Sequence, residues 1–191
     1  MRILFWAVDC QKDFLNKDGA LYVEGAEGIK PNLKKLTSMA INYGITVVNT
    51  MDWHKEGDEE LSEEPDFVTT FPNHCMRNTK GVEFIKETMP VHDKNIIIKK
   101  NKFDVFTGNV DTEDIVKDLS PDLIFVYGVS GDYCVDYAVK GLVKRNYKVT
   151  VVVDAIQSIN KTPIEEWDKL GVTTISTIGL SNLLSKSINE S

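Results

Sequence analysis

The chain has 191 residues, 42% hydrophobic and 27% charged, with 29 acidic against 22 basic side chains and a net charge of −7. This composition suits one folded domain, 1–191, with its own core, and excludes a disordered chain. The acidic balance argues against nucleic acid and anionic membrane surfaces as partners, and no apolar run reaches the ~20 residues that span a bilayer.

Ile3–Val8 predicts the first strand; six apolar residues ended by Asp9 fall short of the ~7–15 of a signal-peptide core. Ile29–Asn42 predicts a helix, with Ile29, Leu33, Leu36 and Ala40 spaced by three and four. Gly44–Thr50 predicts the second strand. The stretch 51–80 is irregular and acid-rich: Glu56, Asp58, Glu59, Glu60, Glu63, Glu64 and Asp66. A loop of that length inside a compact chain is usually functional or disordered. Gly81–Thr88 reads as a short helix and Asn95–Ile98 as the third strand. A helix over Thr112–Leu119 is capped by Asp111 or Thr112. Leu123–Gly128 predicts the fourth strand. Tyr133–Arg145 follows as a helix with Cys134, Ala138, Gly141 and Leu142 on one face. Val149–Asp154 is the fifth strand. Thr162 and Pro163 open a helix that runs to Leu170 and stops at Gly171. Val172–Ile175 is the sixth strand, and Ile178–Ile188 a last helix. The strands are continuously apolar rather than alternating, as when helices cover both faces of a parallel sheet. The expectation is an α/β fold, doubly wound, with a mostly parallel six-stranded sheet and helices on both faces.

Such sheets bind ligands beyond the carboxyl ends of their strands. The first strand is followed by Asp9, the second by Asp52 and His54, the third by Lys100 and Lys102, and the fourth by Gly128–Cys134. Cys134 falls at a helix start with Asp132 as its expected N-cap. There the partial positive charge and free N–H groups lower a thiol pKa and cradle an oxyanion. A free cysteine is more often a small buried hydrophobe. An acid and a lysine at neighbouring strand ends favour the nucleophile. Asp9 reads as its general base, or else as a helix cap or a partner for Lys100. Cys10, Cys75 and Cys134 are too few, and odd in number, for a disulfide framework, which points to a reducing, cytoplasmic setting. Asp52 and His54, with His74 further on, are ligand types for Zn²⁺, Fe²⁺ or Mn²⁺. His92 reads as a turn residue, and the acidic run as a solvated loop, one member of which could be a further ligand. Gly128-Val129-Ser130-Gly131 is followed by Asp132, so it is not a nucleophile elbow. No dinucleotide or Walker loop follows a strand, so no organic cofactor is expected.

Five segments, in order, resemble the isochorismatase-like cysteine hydrolases and, within them, the nicotinamidase branch. Asp9-Cys10-Gln11-Lys12-Asp13-Phe14 resembles D-x-Q-x-D-F. Asp52-Trp53-His54 is similar to D-W-H, and Phe71-Pro72-Asn73-His74-Cys75 to [WF]-P-x-H-C. Lys100-Asn101-Lys102-Phe103-Asp104-Val105-Phe106 resembles K-x-x-[YF]-x-x-F. Gly128 to Val135 resembles G-[VI]-x-x-D-x-C-V. The resemblance implies a Rossmann-like three-layer fold and a triad of Cys134 as nucleophile, Asp9 as base and acid, and Lys100 as charge partner. It implies an oxyanion hole from the N–H groups of Ser130 and Cys134, and a cis bond between Val129 and Ser130. It implies a divalent metal on Asp52, His54 and His74, zinc first, with iron or manganese as alternatives. The family's fourth ligand is often a His, sometimes a Glu, between the two histidines. With no third His there, Glu63, Glu64 or Asp66 is its expected replacement. Phe14 and Phe71, or Trp53, would wall a flat ring. Asp104-Val105, Gly131 and Asn109 depart from common family residues and bear on fine specificity. The implied activity is hydrolysis of a linear amide C–N bond, nicotinamide to nicotinate and ammonia, within NAD salvage. The alternatives are an amidohydrolase of N-carbamoyl or small amides and a non-catalytic metal or thiol sensor. The partner is a small amide, and self-association stays open. Isochorismatases lack the Cys and the metal ligands, so Cys134 and His54 argue against that activity.

Overall fold

The computed structural model describes residues 1–189, with side chains through residue 186. Six strands form one sheet: β1 Ile3–Val8, β2 Thr46–Asp52, β3 Asn95–Lys100, β4 Leu123–Val129, β5 Val149–Gln157 and β6 Thr173–Ile175. Their order is β3-β2-β1-β4-β5-β6, and every pair is parallel. The α-helices are α1 Lys12–Leu15, α2 Lys30–Tyr43, α3 Val105–Gly108, α4 Thr112–Leu119, α5 Cys134–Lys144, α6 Ile164–Lys169 and α7 Thr177–Asn189. A 3₁₀ turn, Ala26–Ile29, leads into α2. No helix among the described residues is long and apolar enough to cross a membrane.

The sheet divides two apolar layers by strand alternation. Phe5 and Ala7 of β1 face Leu33, Leu36 and Leu180 under α2 and α7. Leu4, Trp6 and Val8 face Val116, Val139, Leu142 and Trp167 under α4, α5 and α6. This is the doubly wound α/β arrangement with helices on both faces that the alternating pattern predicts. From β1 the chain winds out to β2 and β3, then returns to β4 on the other side. The crevice between the carboxyl ends of β1 and β4 is therefore the topological switch point.

Four strands run further than expected at their carboxyl ends. β2 reaches Asp52, β3 Lys100, β4 Val129 and β5 Gln157. Charged residues hide the first two extensions, yet Asp52 and Lys100 are register partners. Opposite charges across one ladder neutralise each other where a lone charge would end the strand. Gly81–Thr88 is not a helix. Its backbone is committed elsewhere: Lys12 N–H donates to Glu83 O at 2.9 Å, Ile85 N–H to Cys10 O at 3.0 Å, and Phe84 bridges Gln11. Neither Asp111 nor Thr162 caps a helix through its side chain, and Pro163 holds the N-cap place of α6. The short α1, α3 and 3₁₀ turns are too brief to leave a periodic signal.

Gly128 of β4 pairs with Val8 of β1 at φ 124°. A Cβ there would overlap the Val8 carbonyl. Gly128→Ala is expected to cost ~3 kcal/mol or more in a urea titration, because both dihedral strain and backbone overlap oppose it.

Candidate active site

Asp9 leaves β1 at φ 47°, a left-handed conformation that turns its carboxylate into the switch-point crevice. Lys100 ends β3, and Cys134 opens α5 after β4. All three are buried, each at most 6% exposed. Lys100 Nζ lies 2.8 Å from Asp9 Oδ2 and 3.4 Å from Cys134 Sγ. It also bonds Asp52 Oδ1. The Thr50 hydroxyl donates to Asp9 Oδ1 at 2.6 Å and accepts from the Asp9 N–H at 3.2 Å. So Oδ1 is held by β2, and Oδ2 turns toward the ammonium.

Burial pushes the Asp9 carboxyl up, against the pull of Lys100. Burial acts the same way on Asp52, but the Lys100 ammonium, with the His54 and His74 rings nearby, holds Asp52 well below the usual range. Burial would depress Lys100; Asp52, Asp9 and Cys134 keep it well above its ordinary value. The two carboxyls are thus driven apart, one basic and one firmly ionised, the pattern that separates acid–base roles. Burial also raises the Cys134 thiol well above its usual range, with Lys100 opposing and Asp9 reinforcing. This corrects the expectation of a thiol acidified by the helix start. The site holds a neutral thiol beside a basic carboxylate.

Asp132 is not the helix cap either; Tyr133 occupies that position. The Asp132 carboxylate accepts from the Ser130 hydroxyl at 2.6 Å and from the N–H groups of Ile159 and Asn160 at 3.0 and 2.8 Å. It ties the loop before Cys134 to the loop after β5. Within that loop the Val129–Ser130 peptide is cis. The N–H groups of Gly131, Tyr133 and Val135 donate to Gln157 O, Ser130 O and Ser130 O. Among the described residues, those of Ser130 and Cys134 enter no turn, loop or cap bond.

Asp52, His54 and His74 converge on the other side of Asp52. Oδ2 lies 3.9 Å from His54 Nε2 and 3.7 Å from His74 Nε2. His74 Nδ1 is 2.8 Å from Pro72 O, so it carries the proton and Nε2 presents its lone pair. His54 Nδ1 faces Asp58 Oδ2 at 3.3 Å, and its buried Nε2 has no partner. Two imidazole lone pairs and a carboxylate oxygen within 4.8 Å of one another suit a divalent ion, with outer carboxylate and carbonyl groups fixing both tautomers. Asp9, Asp52 and Cys134 also cluster within 4.8 Å, but there the Lys100 ammonium is already the cation.

Glu63, Glu64 and Asp66 do not join this set. All three are exposed, and Asp66 is consumed by its own turn with Val68, Thr69 and Thr70. The acids of that run that turn inward are Asp58 and Glu60. Glu60 Oε1 accepts from the Phe103 N–H at 2.7 Å, Oε2 is buried without a partner, and burial raises the carboxyl to about 7. The signal for Asp58 was its place one helical turn after His54; Glu60 has none in a run of similar acids. Lys102 pairs with Glu59 at the surface, and His92 is a turn residue accepting from the Lys94 N–H.

An apolar pocket lies over Cys134, Asp52 and His74. Phe14 and Phe71 line it as expected, joined by Leu21, Phe103, Tyr133 and Ile159. Phe71 packs edge-on against Phe103 and Tyr133 at 5.8 and 5.3 Å. Trp53 is not in the wall; Lys99 covers its ring at 3.8 Å.

The Isochorismatase domain family model matches residues 3–177. The Escherichia coli nicotinamidase is 24% identical over 178 residues, covering 82% of this chain and 83% of that protein. The solved structure of a Pyrococcus horikoshii pyrazinamidase in complex with zinc superposes with a TM-score of 0.80 at 26% identity, over 92% of this chain and 99% of that one. The fold is shared as well with an N-carbamoylsarcosine amidase from Thermoplasma acidophilum, TM-score 0.79 at 22% identity, over 93% and 97%. A match over nearly the whole sheet, with a buried cysteine, aspartate and lysine at its switch point, makes this chain a nicotinamidase-like member of the isochorismatase family of hydrolases.

Proposed function

We propose that this protein hydrolyses nicotinamide to nicotinate and ammonia through a thioester on Cys134. The observation that carries the reading is a single buried ammonium, Lys100, touching the Cys134 thiol and two carboxylates, one of which also faces two imidazole lone pairs.

Asp9 takes the proton of Sγ, and the thiolate attacks the amide carbon. Lys100 balances the charge that passes between carboxylate and sulfur. The oxyanion is received by the N–H groups of Ser130 and Cys134. Asp9 returns its proton to the nitrogen, ammonia leaves, and a thioester remains. Asp9 then deprotonates a water that cleaves the thioester, giving the acid and restoring the thiol. Asp52, His54 and His74 fit a divalent ion, zinc in the first instance. When bound it supplies a Lewis-acid anchor for a ring nitrogen, directly or through water. The aromatic pocket suits a flat, uncharged ring. Its enclosed volume is about 20 Å³, room for one water. An N-carbamoyl amino acid is disfavoured, because no Lys or Arg lines the pocket to receive its carboxylate.

Ammonia release from nicotinamide by the metal-loaded protein is the direct test. Release is expected, is lost on chelation, and falls ~10⁴-fold or more in Cys134→Ala; an alanine variant with full activity would falsify the covalent route.

Asp52→Ala and His54→Ala are each expected to lose bound metal by elemental analysis, beyond the ~10–100-fold weakening of an outer-shell change. Metal content unchanged in both refutes the assigned ligands.

The pH profile has a defined sign. The base is spent when Asp9 is protonated, and burial raises Asp9, so the acid limb of kcat/KM is expected above the ~3.9 of an ordinary aspartate. An acid limb below that value contradicts Asp9 as the base.

A further inference from the structure

We infer that Gln11 is a positioning residue that sets the thiol site and the metal-type site relative to one another by gripping the backbone of Asp52. Gln11 is fully buried. Its Nε2 donates to Asp52 O at 2.8 Å and its Oε1 accepts from the Asp52 N–H at 2.8 Å. The second Nε2 proton goes to Val82 O at 2.9 Å.

The strand register explains why such a grip is needed. β1 pairs with β2 only as far as Ala7 and Asn49. Beyond that point Asp52 still has Lys100 of β3 on one side, but no β1 peptide on the other. The Gln11 amide takes the missing place, with one donor and one acceptor matching the backbone of a single residue. Val82 O blocks rotation of the amide, so the grip has one orientation. Buried backbone groups require partners, and here one side chain supplies both.

Asp52 is the residue where this matters most. Its Oδ1 meets Lys100 and its Oδ2 faces His54 and His74. A shift of its backbone alters both sets at once. Gln11 also lies two residues after Asp9, so one short turn delivers the base and the grip together. The inference rests on reading Asp52, His54 and His74 as ligands and Cys134 as nucleophile, and is independent of which amide is cleaved.

Two readouts without turnover test it: zinc affinity of metal-depleted protein by chelator competition, and the rate at which iodoacetamide alkylates Cys134, followed by mass spectrometry. Gln11→Glu turns both donors into acceptors against two carbonyl oxygens. Gln11→Met keeps the reach without hydrogen bonds or charge, and carries the test if the Glu variant does not fold. Each is expected to weaken zinc binding ~10-fold or more and to shift the alkylation rate several-fold in the same protein. Asn49→Ala, in the same strand as Asp52, breaks a 2.9 Å bond to Asn95 of β3, and is expected to lower the melting temperature with both readouts within about twofold of wild type. Gln11 variants that melt lower yet keep wild-type zinc affinity and alkylation rate overturn the inference, leaving the ligand reading intact. A wild-type chain that takes up no zinc overturns the ligand reading and the inference with it.

Discussion

The ammonium of Lys100 is the charge around which the carboxyl edge of the sheet is organised. An isolated ion in an apolar interior is costly enough that it normally loses its charge. Here two carboxylates, from β2 and from the turn after β1, surround it. Removing Lys100 would leave two buried carboxylates uncompensated, a change of about 3–5 kcal/mol in comparable pairs. With the thiol neutral, one ammonium and two carboxylates leave a single negative charge. It resides mainly on Asp52, whose free oxygen points at two imidazole lone pairs. A dication on that side would turn this to a single positive charge, so the thiol site and any metal affinity would draw on one electrostatic unit.

The doubly wound topology explains how distant residues share that unit. Asp9, Asp52, Lys100 and Cys134 come from four segments, yet the four strands that end at or just before them, β3-β2-β1-β4, lie side by side. Only short turns separate those ends from the crevice. The aromatic wall has a different origin. Phe14 follows β1, Phe71 comes from the long loop, Phe103 follows β3 and Tyr133 precedes α5. The charged groups and the thiol thus stand at or just past strand ends, and the aromatic wall stands on the connections, where substitutions reshape the pocket without disturbing the strand ends.

Much of this was legible in the sequence because apolar β-branched runs announce buried parallel strands. Ile3–Val8 and Thr112–Leu119 have the predicted bounds. Asp9, Lys100 and Cys134, and with them Asp52, His54 and His74, are brought together as the strand-end rule anticipates. What failed shares one cause, that local patterns do not reveal a partner distant in sequence. Asp52 and Lys100 looked like loop residues because each hides its partner's charge. Gly81–Thr88 looked helical, but its carbonyls and N–H groups were already claimed by Cys10–Asp13. Asp132 had the composition of a cap, yet its carboxylate reaches across to Ile159 and Asn160. Nothing in an acid-rich run marks Glu60 as a member that turns inward.

The position of β1 has a consequence for synthesis. This uncharged strand is made before the other five, yet it lies at the centre of the sheet and needs neighbours on both edges. β2 follows within about 40 residues; β4 begins only at Leu123, about 115 residues after β1 ends. At ~5–20 residues per second, one edge of Ile-Leu-Phe-Trp-Ala-Val stays open for roughly ten seconds. An uncharged apolar edge of that kind is a template for pairing with other chains. The arrangement that brings Asp9 against Cys134 therefore leaves the nascent sheet vulnerable in the strand made before the others, and a chaperone that shields Ile3–Val8 would act where that edge is open.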